Sequence, residues 1–272
     1  MTTEHRGDPT AAGVPSADEV ARALASDEFL LLYQPTIDLE SNAFVGVEAL
    51  IRWRHPALGL LGPDAFLPVL ESSGQIVPVG AWVLATACRQ GADWHTRGHR
   101  FAVSVNVSRR QLESPSLLGH VADSLEESRF DAGHLVLEFS ERALARLGDA
   151  PSRLAALRAT GVRLAIDDFG SDPASESLVA SLPIDIVKID RTCITGLASS
   201  SEDAERVHRL VQLGKSLHVQ TVAQGIEDDD QRLRLLGEHV DVGQGFLFSV
   251  PHDVDAIDRF LEDYAIFSGK PL

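Results

Sequence analysis

The sequence predicts an α/β fold, a (β/α)8 TIM-like barrel whose first strand runs antiparallel to the second. Three observations predict it. Eight short apolar runs recur along the chain, most of them continuous and bounded by turns or helix caps, as strands buried on both faces require. Helical segments separate most of these runs, which is the alternation of a βα repeat. The first two runs are joined only by Asp38–Asn42, too short for a helical crossover, so that pair has to be a hairpin. An open doubly wound sheet would carry a glycine-rich phosphate loop after its first strand, and none is present.

The elements follow in order. Residues 1–16, rich in Gly, Pro, Ala and Thr, read as a disordered tail, and 17–272 as one domain. A short amphipathic helix is expected to start near Ser16, with Ser16 and Glu19 at capping-box spacing. Strands are expected at Phe29–Pro35, Ala43–Ile51, Phe101–Val107, Leu135–Phe139, Arg163–Ile166, Ile184–Ile189, Val219–Ala223 and Val240–Leu247. Helices are expected at Phe66–Leu70, Gly80–Arg97, Leu117–Glu127, Ala150–Ala159, Ser201–Leu217 and Asp230–Gly237.

Bulk properties set the outer limits. A chain of 272 residues that is 44% hydrophobic can build one large barrel core. The net charge of −16, from 24 basic and 40 acidic residues, argues against binding duplex DNA or RNA, which calls for a basic face. It leaves room for a small anionic ligand held through metal ions. Cys88 and Cys193 have no Cys-x-x-Cys spacing and read as reduced packing residues of a cytoplasmic protein. Neither a signal-peptide pattern nor an apolar run of roughly 18 residues appears, so no membrane span is expected.

The polar residues collect where a parallel barrel keeps its chemistry, at the C-terminal ends of strands. They are Glu48 and Arg52, Asn106, Glu138 and Glu141, Asp167 and Asp168, Lys188 and Asp190, Gln224 and Glu227, and Gln244. One acid at a strand end is usually a helix cap or a surface charge. Acids converging from successive strands onto one rim repel each other unless a cation binds between them. Carboxylates with one amide oxygen suit Mg²⁺ or Mn²⁺ rather than zinc, since no His or Cys joins them. His55, beside Pro56, reads as structural. The adjacent Asp167 and Asp168 can serve two metal ions, a common device for phosphodiester hydrolysis. Lys188 can add positive charge there and Arg52 can hold a phosphate. The competing reading for both is a salt bridge to a neighbouring acid.

At these residues the chain resembles the EAL domain of bacterial cyclic di-GMP phosphodiesterases, from about Asp18 to Phe260. The matching runs are Tyr33-Gln34-Pro35, Glu48-Ala49-Leu50-Ile51-Arg52-Trp53, His55-Pro56, Val105-Asn106-Val107-Ser108, Gln111-Leu112, Glu138-Phe139-Ser140-Glu141, Asp167-Asp168-Phe169-Gly170, Lys188-Ile189-Asp190 and Gln244-Gly245. The resemblance implies metal ligands at Glu48, Asn106, Glu138 and Asp167, with Asp168 serving a second ion. It implies a catalytic-site Lys188 and ligand contacts from Gln34, Arg52, Asp190 and Gln244. Glu141 would brace the loop after the fifth strand, and Glu227 would support the site. Active members open cyclic di-GMP to linear 5′-pGpG with Mg²⁺ or Mn²⁺, and Ca²⁺ usually inhibits. Relatives often form homodimers through barrel helices near that loop.

Two departures bear on activity. Active members carry Glu where this chain has Gln224, in Ala223-Gln224-Gly225-Ile226-Glu227. An amide takes no proton at any useful pH, and losing a positioned general base costs roughly 10²–10⁴-fold in rate. The loop after Gly170 reads Ser171-Asp172-Pro173-Ala174-Ser175-Glu176 in place of Thr-Gly-Tyr-Ser-Ser-Leu, which restricts its backbone. The expectation is therefore a degenerate member that recognises cyclic di-GMP as a receptor. A working phosphodiesterase and a nucleotide-independent protein-interaction domain are the alternatives.

Overall fold

The five-residue link between the first two strands does what its length demands: β1 (Phe29–Asp38) and β2 (Phe44–His55) pair antiparallel, Gln34 opposite Glu48 and Phe29 opposite Trp53. The computed structural model describes residues 15–170, 179–197 and 200–268, with side chains as far as Asp263. The chain then runs through β3 (Gly59–Leu61), α2 (Leu67–Ser73), α3 (Ile76–Thr96), β4 (Ala102–Asn106), α4 (Arg109–Glu113), α5 (Leu117–Ser128), β5 (Leu135–Ser140), α6 (Glu141–Ala145), α7 (Ala150–Arg158) and β6 (Arg163–Phe169). It continues through β7 (Ile186–Ile189), α8 (Arg191–Thr195), α9 (Ser201–Leu217), β8 (Gln220–Gln224), α10 (Asp229–Gly237), β9 (Val242–Gln244) and α11 (Val254–Ser268). Before β1 stands α1 (Ala17–Ala25), capped by Ser16 and Glu19 as the spacing predicts. Residues 1–14 of the expected tail lie outside the described residues.

The strands close in the order β1-β9-β8-β7-β6-β5-β4-β2, and β2 bonds back to β1. Pairings from β2–β4 round to β8–β9 are parallel, while β1 is antiparallel to both its neighbours. This is the closed (β/α)8 barrel with a reversed first strand. The short β3 folds back on the end of β2, outside the ring.

Several boundaries differ from the sequence reading. α3 begins at Ile76 rather than Gly80, because Pro78 sits in the first turn, where its missing N–H has no helical partner to lose. β2 runs on to His55, whose Nδ1 accepts the Ala57 and Leu58 N–H groups at 3.2 and 3.1 Å and so fixes the turn into β3. The His55 ring is therefore structural, as expected. β9 is only three residues long and ends at Gln244. At Gly245 a Cβ would overlap the Ile226 backbone, and the chain turns there, with Phe248 and Ser249 N–H groups bonding back to the Gly245 carbonyl.

One apolar layer sits inside the barrel: Val136, Ala165, Ile186, Val222 and Val242. Each comes from a different strand. Because side chains alternate along a strand, the residue two places on shares the same face. Those residues are Glu138, Asp167, Lys188, Gln224 and Gln244. The interior layer thus sets the height and direction of a polar layer directly above it.

Candidate functional site

Lys188 is the centre of that polar layer. Its Nζ donates to Glu48 Oε2 at 2.9 Å and to Glu138 Oε2 at 2.5 Å, and lies 3.6 Å from Asp167 Oδ1. All of it is enclosed: Lys188 is 2% exposed, Glu138 3% and Glu48 6%. These contacts are the salt bridges of the competing reading.

Glu48 is the most heavily bonded acid. Asn106 Nδ2 donates to its Oε1 at 2.7 Å, and Gln244 Nε2 donates to its Oε2 at 2.9 Å. Gln244 also donates to Gln34 Oε1 at 3.2 Å, and Gln34 Nε2 donates to the Ser249 carbonyl at 3.1 Å. A relay of amides therefore runs from the carboxylate to the wall of the barrel. Register places these groups at neighbouring strand ends, Asn106 beside Glu138 and Gln224 beside Gln244.

The charges settle unequally. Burial alone would raise Glu48, but the Lys188 charge and the three hydrogen-bond donors outweigh it and hold Glu48 below the ordinary value. Burial, then the Glu48 charge, push Glu138 up to about 8 against the pull of Lys188. Burial likewise raises Asp167, with Lys188 opposing and Glu48 adding to the rise, while the Gln224 side chain helps keep it charged. Burial works against the Lys188 ammonium, yet Asp167, Glu138 and Glu48 together hold its pKa well above normal. Lys188 thus supplies the positive charge of the layer, and Glu138 is one of its acids that burial makes easier to protonate.

A backbone irregularity presents the two aspartates. The β6–β7 register shifts between Ile166 and Phe169, and Asp168 adopts φ 56°, in the left-handed region that L residues rarely enter. In a regular strand Asp167 and Asp168 would face opposite sides of the sheet. Here both border the cleft above the barrel. Burial, then the Asp167 charge, raise Asp168 to about 6. Just beyond, Glu141 Oε2 accepts the Gly170 N–H at 3.2 Å, at the start of the loop that Glu141 was expected to brace. The altered segment 171–176 itself lies outside the described residues.

The cleft has two lobes. A smaller one of about 280 Å³ is lined by Gln34, Glu48, Gln224, Glu227, Gln244 and Phe246, among others. A larger one of about 670 Å³ has Arg52, Asn106, Glu138 and Asp167 with apolar walls from Leu67, Ile76 and Val79. Leu50, Asp168 and Arg191 border both. Arg52 donates to the Ile51 carbonyl at 2.8 Å, and no carboxylate lies within ion-pair distance of it among the described residues. Asp190 caps α8, accepting the Thr192 N–H at 2.7 Å, while still lining the small lobe. Glu227 is exposed at the edge of that lobe.

Sequence reasoning missed Phe246 and Arg191. Phe246 is 65% exposed, a large aromatic face open to the small lobe. The signal was available: an aromatic residue directly after the Gln244-Gly245 strand end. Arg191 follows Lys188-Ile189-Asp190 in the same way.

By donor chemistry the site fits a hard divalent cation. Glu48, Glu138, Asp167, Asp168 and Asn106 offer only oxygen, and buried Asp167 Oδ1 and Gln244 Oε1 have no hydrogen-bond partner. Among the described residues no three His, Cys, Asp or Glu side chains stand ready as a ligand cluster; Glu48 and Glu138 are instead bonded to the Lys188 ammonium.

Comparison with known proteins agrees with this architecture. The sequence profile of the EAL domain matches residues 17–251. Cyclic di-GMP phosphodiesterase NbdA of Pseudomonas aeruginosa is 37% identical over 257 residues, 94% of this chain and 33% of that protein. The bifunctional diguanylate cyclase/cyclic di-GMP phosphodiesterase MucR of the same organism is 38% identical over 235 residues, 86% of this chain and 34% of that protein. The chain thus spans about a third of the length of these relatives. Among solved structures, the PaMucR phosphodiesterase in complex with c-di-GMP superposes with a TM-score of 0.85 at 37% identity, covering 88% of this chain and 98% of that one. The EAL domain of Mycobacterium smegmatis DcpA superposes with a TM-score of 0.72 at 30% identity, covering 86% and 96%. With its barrel, its strand-end acids and a family match over most of its length, the chain belongs to the EAL domain family.

Proposed function

We propose that this chain is a receptor for cyclic di-GMP that hydrolyses the nucleotide slowly or not at all. The observation that carries the reading is Gln224: it ends β8, lines the small lobe and interacts with the Asp167 carboxylate. A glutamate there would set a second negative charge against Asp167; the amide donates instead and can accept no proton. Binding is supported by the two lobes, which offer a place for each base, and by the relatives that act on or bind this nucleotide. Arg52 would hold a phosphate in the large lobe, where among the described residues no carboxylate is within ion-pair distance of it. Gln34 and Gln244 would meet a guanine edge, and Phe246 would stack on the base.

Glu48, Asn106, Glu138 and Asp167 would hold Mg²⁺ or Mn²⁺, with Asp168 at a second ion. Bound there, the metal would polarise a phosphoryl oxygen and lower the pKa of water. The protein's own part is to fix the acids through Lys188, Gln244 and Asn106, and to keep Glu138 able to give up its proton as a cation arrives.

The second reading, an active phosphodiesterase, is favoured by the assembly of Glu48, Asn106, Glu138, Asp167 and Lys188 in one enclosed layer. Calorimetric titration of cyclic di-GMP with Ca²⁺ present, followed by exchange into Mg²⁺ or Mn²⁺ and chromatography, separates the readings. Binding with intact nucleotide supports the receptor. Steady release of 5′-pGpG overturns it, and no binding leaves a protein-interaction domain. Cys88 and Cys193 are both free and buried, and among the described residues no helix is long and apolar enough to cross a membrane; we infer a cytoplasmic location. A homodimer is the assembly we expect, and sedimentation velocity tests it.

A further inference from the structure

The segment joining α1 to β1 reaches the cleft through one side chain. Glu28 Oε2 accepts the Trp53 indole N–H at 2.9 Å, and the Glu28 carbonyl accepts the Arg54 N–H at 2.8 Å. Glu28 therefore grips the two residues that follow Arg52. Trp53 has no solvent exposure, so its indole N–H depends on the Glu28 carboxylate as acceptor.

Glu28 is in turn fastened to α1. Its N–H bonds to the Ala23 carbonyl at 3.1 Å, across a turn in which Asp27 takes φ 53°. Its Oε1 lies 3.7 Å from Arg22 Nε. α1 is seated by Val20 and Ala23 in an apolar cluster with Phe29, Trp53, Phe66, Leu70, Ile76 and Val79. Ile76 and Val79 also wall the large lobe beside Arg52. Among the described residues Arg52 makes no ion pair: Glu48 and Asp64 act on it only through their charge, and its hydrogen bond goes to the Ile51 carbonyl of its own strand. Its aim rests on where the backbone of residues 51–54 is held.

We propose that Glu28 is a positioning residue for Arg52: by tying Trp53 and Arg54 to α1, it sets the affinity of the large lobe for a ligand phosphate. The inference rests on the reading that Arg52 holds a phosphate of cyclic di-GMP. Displacing α1 would reach the cleft by the same route, loosening Arg52 without touching the acids.

The test uses the full chain with four substitutions, Glu28→Ala, Glu28→Gln, Trp53→Phe and Arg52→Ala, and the double variant Glu28→Ala/Arg52→Ala. Calorimetry with cyclic di-GMP and Ca²⁺ is expected to show Glu28→Ala weakening binding about tenfold, as a slightly misplaced anchor does. Glu28→Gln keeps an acceptor oxygen and stays within about twofold of the parent. Trp53→Phe fills the core but has no N–H, and reproduces Glu28→Ala even if that variant folds poorly. The double variant binds no more weakly than Arg52→Ala alone. Losses that simply add, or unchanged affinity in both Glu28→Ala and Trp53→Phe, overturn the proposal. A second readout needs no nucleotide: the rate of phenylglyoxal modification at Arg52, followed by mass spectrometry, rises in Glu28→Ala and Trp53→Phe but not in Glu28→Gln. Equal rates in all overturn the proposal. If the parent binds no cyclic di-GMP, the receptor reading falls by itself and the Arg52 reactivity alone decides this one.

Discussion

Replacing Lys188 by methionine keeps the aliphatic stem and removes the ammonium. The ammonium is buried and bonds Glu48 at 2.9 Å and Glu138 at 2.5 Å. Removing one partner of a buried ion pair costs about 3–5 kcal/mol when the other stays charged. Glu138, already pushed up to about 8, rises further without the ammonium, takes up a proton at neutral pH and loses little. Glu48 keeps its Asn106 and Gln244 donors. The lower end of the range, about 3 kcal/mol, is therefore expected, a fall in melting midpoint of about 6–12 °C. The assay is thermal and urea unfolding in EDTA. With the ammonium gone, the acids are free for a cation, so Mn²⁺ should raise the variant's midpoint more than the parent's. An unchanged midpoint in EDTA, or equal Mn²⁺ shifts in both proteins, would refute the reasoning.

Three further outcomes are expected. Gln224→Glu should raise 5′-pGpG production by about 100-fold or more if the missing base limits turnover, measured by chromatography with Mn²⁺; a rate equal to the parent's removes the impaired reading. In EDTA, stability should fall between about pH 4.5 and 8: the folded Glu138 pKa is raised from 4.5 to about 8, so its contribution is complete below 4.5 and is lost as pH rises through about 8. Glu138→Gln should flatten that slope in urea titrations. Asp258→Ala removes the acceptor of the Trp94 indole N–H, held at 2.7 Å, and of Arg97. Because Trp94 is fully buried, it should cost about 1–3 kcal/mol in urea unfolding while leaving cyclic di-GMP affinity unchanged.

The sequence made the barrel legible because strand burial and helix alternation leave marks at fixed periods. The hairpin was legible from five residues, since no helix fits between β1 and β2. Placing Glu138, Asp167, Lys188, Gln224 and Gln244 at strand ends was also within reach, since each follows an interior apolar residue by two. What remained hidden depends on backbone geometry rather than residue type. Two adjacent aspartates do not announce a bulge, and only φ 56° at Asp168 explains how both border one cleft. The early end of β9 comes from the approach of Gly245 to the Ile226 backbone, a contact across the fold. β3 was too short to read, and α11 was overlooked although Asp253 caps it by accepting the Ala256 N–H at 2.9 Å.

The reversed first strand has a consequence for wiring. In a barrel built wholly of parallel strands, the chain enters beneath the sheet, on the side away from the ligand. Here Phe29 starts β1 opposite Trp53, near the far end of β2, so the segment just before the barrel sits at the mouth of the cleft. α11 instead lies near the opposite end, where Asp258 meets Trp94 and Arg97 and Phe260 meets Phe44. The two ends of the domain are thus placed differently: its first helix stands by the mouth of the cleft, and its last helix by the opposite end of the barrel.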